Sequence, residues 1–269
     1  MTLQPSRSAD FADSQPMICM RCGYELRGLL PSSVCPECAY PIADSFQRRR
    51  LGLSSPSYLA SLRAGSLISA LALVIFIVAG LAGWPILANL FSFGSQASFR
   101  LFDLAGAAVL LAGIWMLTID DPGLHPCDQA RPNKRAMRGA SIGLVVFNIF
   151  VALLWMQIPL APPRAAGAVP LLHILLPVGS ALIQLALWLT LATGLVNYAR
   201  WLAVRVPDER LFRMAATLNW LLPCALIGAL IVMPAFGNAG RIVPLGFMVA
   251  LLLATRERVD PKRMTAADT

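Results

Sequence analysis

Residues Leu67–Gly83 read LISALALVIFIVAGLAG, a run with no charged side chain and no alternation between apolar and polar positions. A helix that is apolar on every side needs a very large protein core or a lipid environment. The same character returns downstream at Leu101–Ile119, LFDLAGAAVLLAGIWMLTI, where Asp103 is the one charge and sits near the start. The 269-residue chain is 57% hydrophobic and 13% charged, against about 25% charged in soluble domains. A chain of this size cannot hide so much apolar surface from water by itself, so the excess is assigned to a bilayer.

About 20 apolar residues cross the hydrocarbon layer, and on that criterion spans are expected at about 64–83, 101–119, 139–158, 170–196, 215–234 and 242–255. The last is short, and it reads as a short span, a re-entrant segment or a helix lengthened through Phe236–Arg241. Charge supplies an independent check, because Lys and Arg gather on the cytoplasmic side of membrane proteins. With six spans, only Arg100, Arg164 and Arg241 of the 22 Lys and Arg residues fall on the outer side. Dropping the sixth span would move Arg256, Arg258, Lys262 and Arg263 outside as well, so the pattern favours it. The expected fold class is an all-α integral membrane protein of about six transmembrane helices, in the cytoplasmic (inner) membrane with both termini cytoplasmic. This distribution also accounts for the net charge of +8 without a nucleic-acid partner.

Upstream of the apolar runs the composition changes. Residues 1–16 are polar and aperiodic and are expected to form a disordered tail without a secretory signal. Residues 17–42 form a cysteine-rich module, and 43–63 a basic linker with Arg48, Arg49, Arg50 and the turn former Ser54–Ser57. Residues 64–269 make up the transmembrane helical domain with its cytoplasmic tail. Within it, YARWLAVRVPDERLFRM at Tyr198–Met214 reads in two ways. It is a helix lying along the membrane surface, or a solvated connector with a new helix starting at Pro207, Asp208 and Glu209.

The chemistry of the chain concentrates in Cys19-x2-Cys22 and Cys35-x2-Cys38. Two such pairs on two tight turns supply four sulfurs at tetrahedral positions, the arrangement a structural zinc ion takes. The competing readings are a redox motif and a disulfide framework. A cytoplasmic location argues against lasting disulfides, and two symmetric pairs argue against one redox motif. The halves CMRCGYEL (19–26) and CPECAYPI (35–42) share the pattern C-x-x-C-small-Tyr-x-aliphatic. Gly23 and Ala39 occupy the position where the backbone must turn beneath the metal. Tyr24, Tyr40, Leu26 and Ile42 are expected to form a small core that the metal holds together. One structural Zn2+ is therefore expected, on Cys19, Cys22, Cys35 and Cys38, with no coordination site left open.

The string CxxCGYELRGL followed by CPEC resembles the N-terminal zinc ribbon of uncharacterised bacterial polytopic membrane proteins, over residues 19–42. The loop LAVRVPDERL at 202–211 is similar to one in the same proteins. Ala39 departs from the Gly usual after the last Cys. The resemblance implies a zinc ribbon on a membrane anchor and carries no activity with it.

Elsewhere, candidates are sparse. Asp120, Asp121, His125 and Cys127 could be read as a second metal or catalytic cluster, but DDPG reads more simply as the end of the second span and a turn. Cys224 reads as an apolar packing residue. Gly139 and Gly143 have the spacing of close helix approach, a weak pointer to dimerisation. Ionisable groups are nearly absent from the spans, and Asn148, Gln157, Gln184, Thr190, Thr193 and Asn219 are the polar residues at depth. No nucleotide-binding or hydrolase signature occurs, so no residue is assigned a catalytic role. The function expected is non-enzymatic: a membrane anchor carrying a cytoplasmic zinc-ribbon docking or regulatory module, with the bilayer and a cytoplasmic protein as partners. The alternative is a transporter or channel-like bundle with a regulatory ribbon. Oligomeric state is left open.

Overall fold

The computed structural model describes residues 19, 22, 24–30, 32–43, 45, 51, 54–82, 96–121, 130–157, 171–206, 209–236 and 242–259. Among these the architecture is all-helical: α1 Pro56–Ala82, α2 Gln96–Leu117, α3 Arg131–Gln157, α4 Leu171–Arg205, α5 Glu209–Phe236 and α6 Ile242–Arg258. The 1–16 tail, the linker arginines, Gly23, His125 and Cys127 lie outside the described residues.

The helix boundaries follow from local chemistry. Ser55 caps α1, its hydroxyl accepting from the Tyr58 amide at 3.3 Å, and Pro56 takes the first helical position, where no amide donor is required. The Ser-Ser-Pro-Ser stretch is therefore a helix start, and α1 begins eight residues ahead of the expected span. At the other extreme, α4 runs unbroken for 35 residues, roughly 52 Å at 1.5 Å per residue. That exceeds the ~30 Å hydrocarbon layer by several turns. The Tyr198–Arg205 segment is the C-terminal end of this helix. It does not lie on a surface, because Tyr198, Ala199, Leu202, Ala203 and Arg205 are all buried in the bundle. The chain turns at Val206, and α5 starts at Glu209 as the connector reading expected.

Among the described residues, four helices contain stretches long and apolar enough to cross a membrane: Pro56–Leu81, Arg131–Leu154, Val178–Ala203 and Arg210–Ala229. The apolar part of α2, Phe102–Leu117, and the 17 residues of α6 are shorter. In the bundle α1 packs against α2 and α6, α3 bridges α2 and α4, and α5 joins α4 to α6. Each long helix divides its apolar residues between two faces. On α3, Met137, Ala140, Leu144 and Val151 are buried while Ile142, Val146, Ile149, Phe150 and Leu153 are exposed. Both sets recur at helical spacing. An apolar outward stripe of this length would be a liability in water and is what lipid contact requires.

Two glycines set the closest helix approach. A Cβ on Gly65 of α1 would fall on the backbone of Leu117, and one on Gly113 of α2 would lie 2.6 Å from the Ser69 backbone nitrogen. Only hydrogen fits at either place. The Gly139/Gly143 pair behaves differently: Gly139 meets nothing within 4 Å, while Gly143 packs inside the chain on Leu187 of α4.

Candidate metal centre

The two cysteine pairs sit on matching knuckles. The Cys19 amide donates to the Tyr24 carbonyl at 2.7 Å and the Cys35 amide to the Tyr40 carbonyl at 2.8 Å. The sequence repeat is thus also a repeat of hydrogen bonds. Beneath the second knuckle the Ala39 amide donates to the Cys35 carbonyl at 2.8 Å, with Ala39 at φ +53°. This is the left-handed turn expected after the last cysteine, occupied by a residue with a Cβ. An antiparallel bridge between Val34 and Pro41 closes its base.

The pairs interlock across the halves. Cys19 Sγ lies 3.5 Å from Cys38 Sγ, Cys22 Sγ lies 3.5 Å from Cys35 Sγ, and all four sulfurs fall within 4.8 Å of one another. A disulfide needs about 2.05 Å, and none of these four cysteines is in one. Tetrahedral coordination with metal–sulfur bonds of about 2.3 Å places sulfurs roughly 3.8 Å apart. The four thiols fit a metal ion on this measure. Their protonation agrees: the Tyr24 backbone contact works to lower the Cys22 pKa, but desolvation and the thiols of Cys38, Cys35 and Cys19 push it up to about 12. Desolvation likewise raises Cys38. Sulfurs this close cannot all ionise without a cation among them.

Burial around the site is less even than the repeat implies. Leu26 and Ile42, at equivalent positions, are buried against Cys19 and Cys35 as expected. Tyr24 is 41% exposed and Tyr40 half-buried. Both tyrosines contribute their backbone carbonyls to the knuckles; Tyr40 also packs against this buried cluster as expected, whereas Tyr24 is exposed.

A second polar constellation gathers where α2 ends. Three successive carbonyls there accept from side chains of other helices: Leu117 from the Tyr198 hydroxyl at 3.0 Å, Thr118 from Arg138, and Ile119 from Lys134 Nζ at 3.3 Å. Cations at a helix C-terminus complement its dipole and satisfy its orphan acceptors. Beside them Arg205 and Asp121 form an ion pair of 2.8 Å, with side chains 5% and 2% exposed. Ser54, just ahead of α1, donates to the same Asp121 oxygen at 2.8 Å. Trp201 lies under both Arg205, 5.0 Å from its ring centroid, and Lys134, at 5.7 Å. Asp120 is 57% exposed and reaches Lys134 at 3.4 Å. Asp121, read from the sequence as a turn residue, is therefore the buried junction of α1, α2 and α4. Its partners lie 67 and 84 residues away, and no local pattern marks them.

Several of the remaining candidates bond within their own helices. Asn148 donates to the Leu144 carbonyl of its own helix at 2.8 Å, Thr190 and Thr193 bond to the preceding turn of α4, and Cys224 is exposed on α5 instead of packed. Comparison of the chain with protein-family models, with curated proteins and with solved structures returns no match.

Proposed function

We propose that this chain is a non-enzymatic integral protein of the cytoplasmic membrane, in which a zinc-held N-terminal ribbon serves as a docking or regulatory module and the helical bundle anchors it. The observation that carries the reading is the convergence of four thiols within 4.8 Å. Four thiolates complete a tetrahedral zinc shell and leave no position for water or substrate, so the ion is structural. Its binding energy supports a module in which Leu26 and Ile42 are the buried aliphatics among the described residues. The resemblance of residues 19–42 to the ribbons of bacterial polytopic membrane proteins supports the same assignment.

The bundle crosses the membrane six times in this reading. The 22 residues of α2 span about 33 Å and the 17 of α6 about 25 Å, close to the hydrocarbon thickness. An even number of crossings keeps the basic loops and both termini on the cytoplasmic side. A transporter would need Asn148, Gln184 and Asn219 to serve one path. Asn148 already spends its amide on its own helix, which supports packing.

The test is purification of the full-length protein after in-cell crosslinking, beside Cys19→Ser/Cys22→Ser. The expected result is a fall from about one zinc per chain to none, with loss of whatever the module contacts. An unchanged set of crosslinks in the zinc-free variant would remove the docking role and move attention to the bundle.

A further inference from the structure

The N-terminal module turns apolar side chains outward. Leu30 is 71% exposed, Val34 55%, Tyr24 41% and Leu29 37%, while Leu26 and Ile42 are buried. Single exposed apolar residues are ordinary. Two adjacent leucines at the tip of the loop between metal knuckles are different, because the loop is shaped without their side chains. Leu29 donates its amide to the Leu26 carbonyl at 3.1 Å, and Ser33 binds the Leu30 carbonyl through its amide at 2.9 Å and its hydroxyl at 2.7 Å. Gly28, at φ +81°, supplies the turn.

The chain that follows indicates what this tip meets. Leu51 is fully buried in the bundle core, and Ser54 is tied to Asp121 and Arg205. From Ile42 in one core to Leu51 in the other is nine residue steps, a reach of at most about 30 Å. The module is therefore kept at the end of the bundle where α1 begins. At such tether lengths the effective concentration is of millimolar order, so a weak intrinsic affinity is enough. The tether itself contains Arg48, Arg49 and Arg50, and residues 17–50 carry five Arg against Glu25, Glu37 and Asp44. Each such cation near an anionic leaflet strengthens binding by roughly fivefold.

We propose that the Leu29–Leu30 tip inserts into the anionic headgroup surface of the leaflet next to α1. The proposal rests on the reading of residues 19–42 as a metal-held module on the cytoplasmic side, and names what that module docks onto.

The test places an environment-sensitive fluorescent amino acid at the exposed Ser32 of the full-length protein. The protein is reconstituted in phosphatidylcholine vesicles with or without phosphatidylglycerol, both containing lipids brominated near the headgroup end of their chains. Zinc is measured in each sample. The expected result is quenching at least roughly threefold stronger with phosphatidylglycerol, reduced to the phosphatidylcholine level by high salt or by Leu29→Ser/Leu30→Ser with zinc retained. Zinc-loaded protein with equal quenching in both vesicles, or with quenching indifferent to the leucine substitutions, overturns the proposal and leaves the metal-held module standing. An unquenched probe, with a photocrosslinker at Ser32 capturing a soluble protein in cells, overturns it in favour of a protein partner. Absence of zinc from the unsubstituted chain overturns the underlying reading instead.

Discussion

Ala39 holds the left-handed conformation after the fourth cysteine, where a Cβ costs about 1–2 kcal/mol. Ala39→Gly relieves that strain at the expense of a more flexible unfolded chain, so a net gain of up to about 1 kcal/mol is expected. In competition with a chelator it should appear as severalfold tighter zinc binding. The thiols lead to a second prediction. Cys22 is pushed up to about 12 and Cys38 is raised as well, so both are protonated near neutrality when no metal is bound. Metal uptake must then expel protons, and affinity should keep rising with pH across the whole range below 9.0, the ordinary thiol value that both exceed. Calorimetry in buffers of different ionisation enthalpy measures the protons released; a pH-independent affinity would refute the linkage. At the other end of the chain, Arg205→Leu leaves Asp121 buried without its closest cation, at an expected cost of about 3–5 kcal/mol. The double variant Asp121→Leu/Arg205→Leu should recover part of it, and thermal unfolding of the three variants in detergent gives the coupling.

At the scale of helices, the α1–α2 crossing depends on two hydrogens. Gly113→Leu drives a side chain into the α1 backbone at Ser69 and should destabilise by at least about 1–3 kcal/mol, as overpacking does. Gly139→Leu, placed in open space, should leave the unfolding temperature nearly unchanged. The contrast was not legible in the sequence. Gly139 and Gly143 have the spacing associated with close packing, whereas Gly65 and Gly113 belong to different helices and share no spacing at all. The extent of α4 was equally hidden. Its end alternates Arg with apolar residues, which looks interfacial until Tyr198 and Arg205 are seen to close over the end of α2.

For the molecule as a whole, the outward stripes of α1, α3, α4 and α5 are apolar while one end of the bundle collects Lys134, Arg138 and Arg205. Reporter fusions give the direct test of topology. After Arg135 and at the C-terminus a cytoplasmic reporter should be active, and after Arg164 an exported one. An exported C-terminus would mean an odd number of crossings and would refute the six-span arrangement.

The membrane character of the chain and its four metal-ligand candidates were legible from sequence alone, because both are linear patterns. Apolar runs are contiguous, and a thiol pair on a tight turn is written within four residues. The tertiary structure decided which glycines touch a backbone, that Tyr40 packs on the small core while Tyr24 is exposed, and that Asp121 is the buried partner of Ser54 and Arg205. Those facts depend on residues far apart in the chain sharing one low-dielectric site, where an unpaired charge is costly and a pair 84 residues distant becomes the nearest remedy.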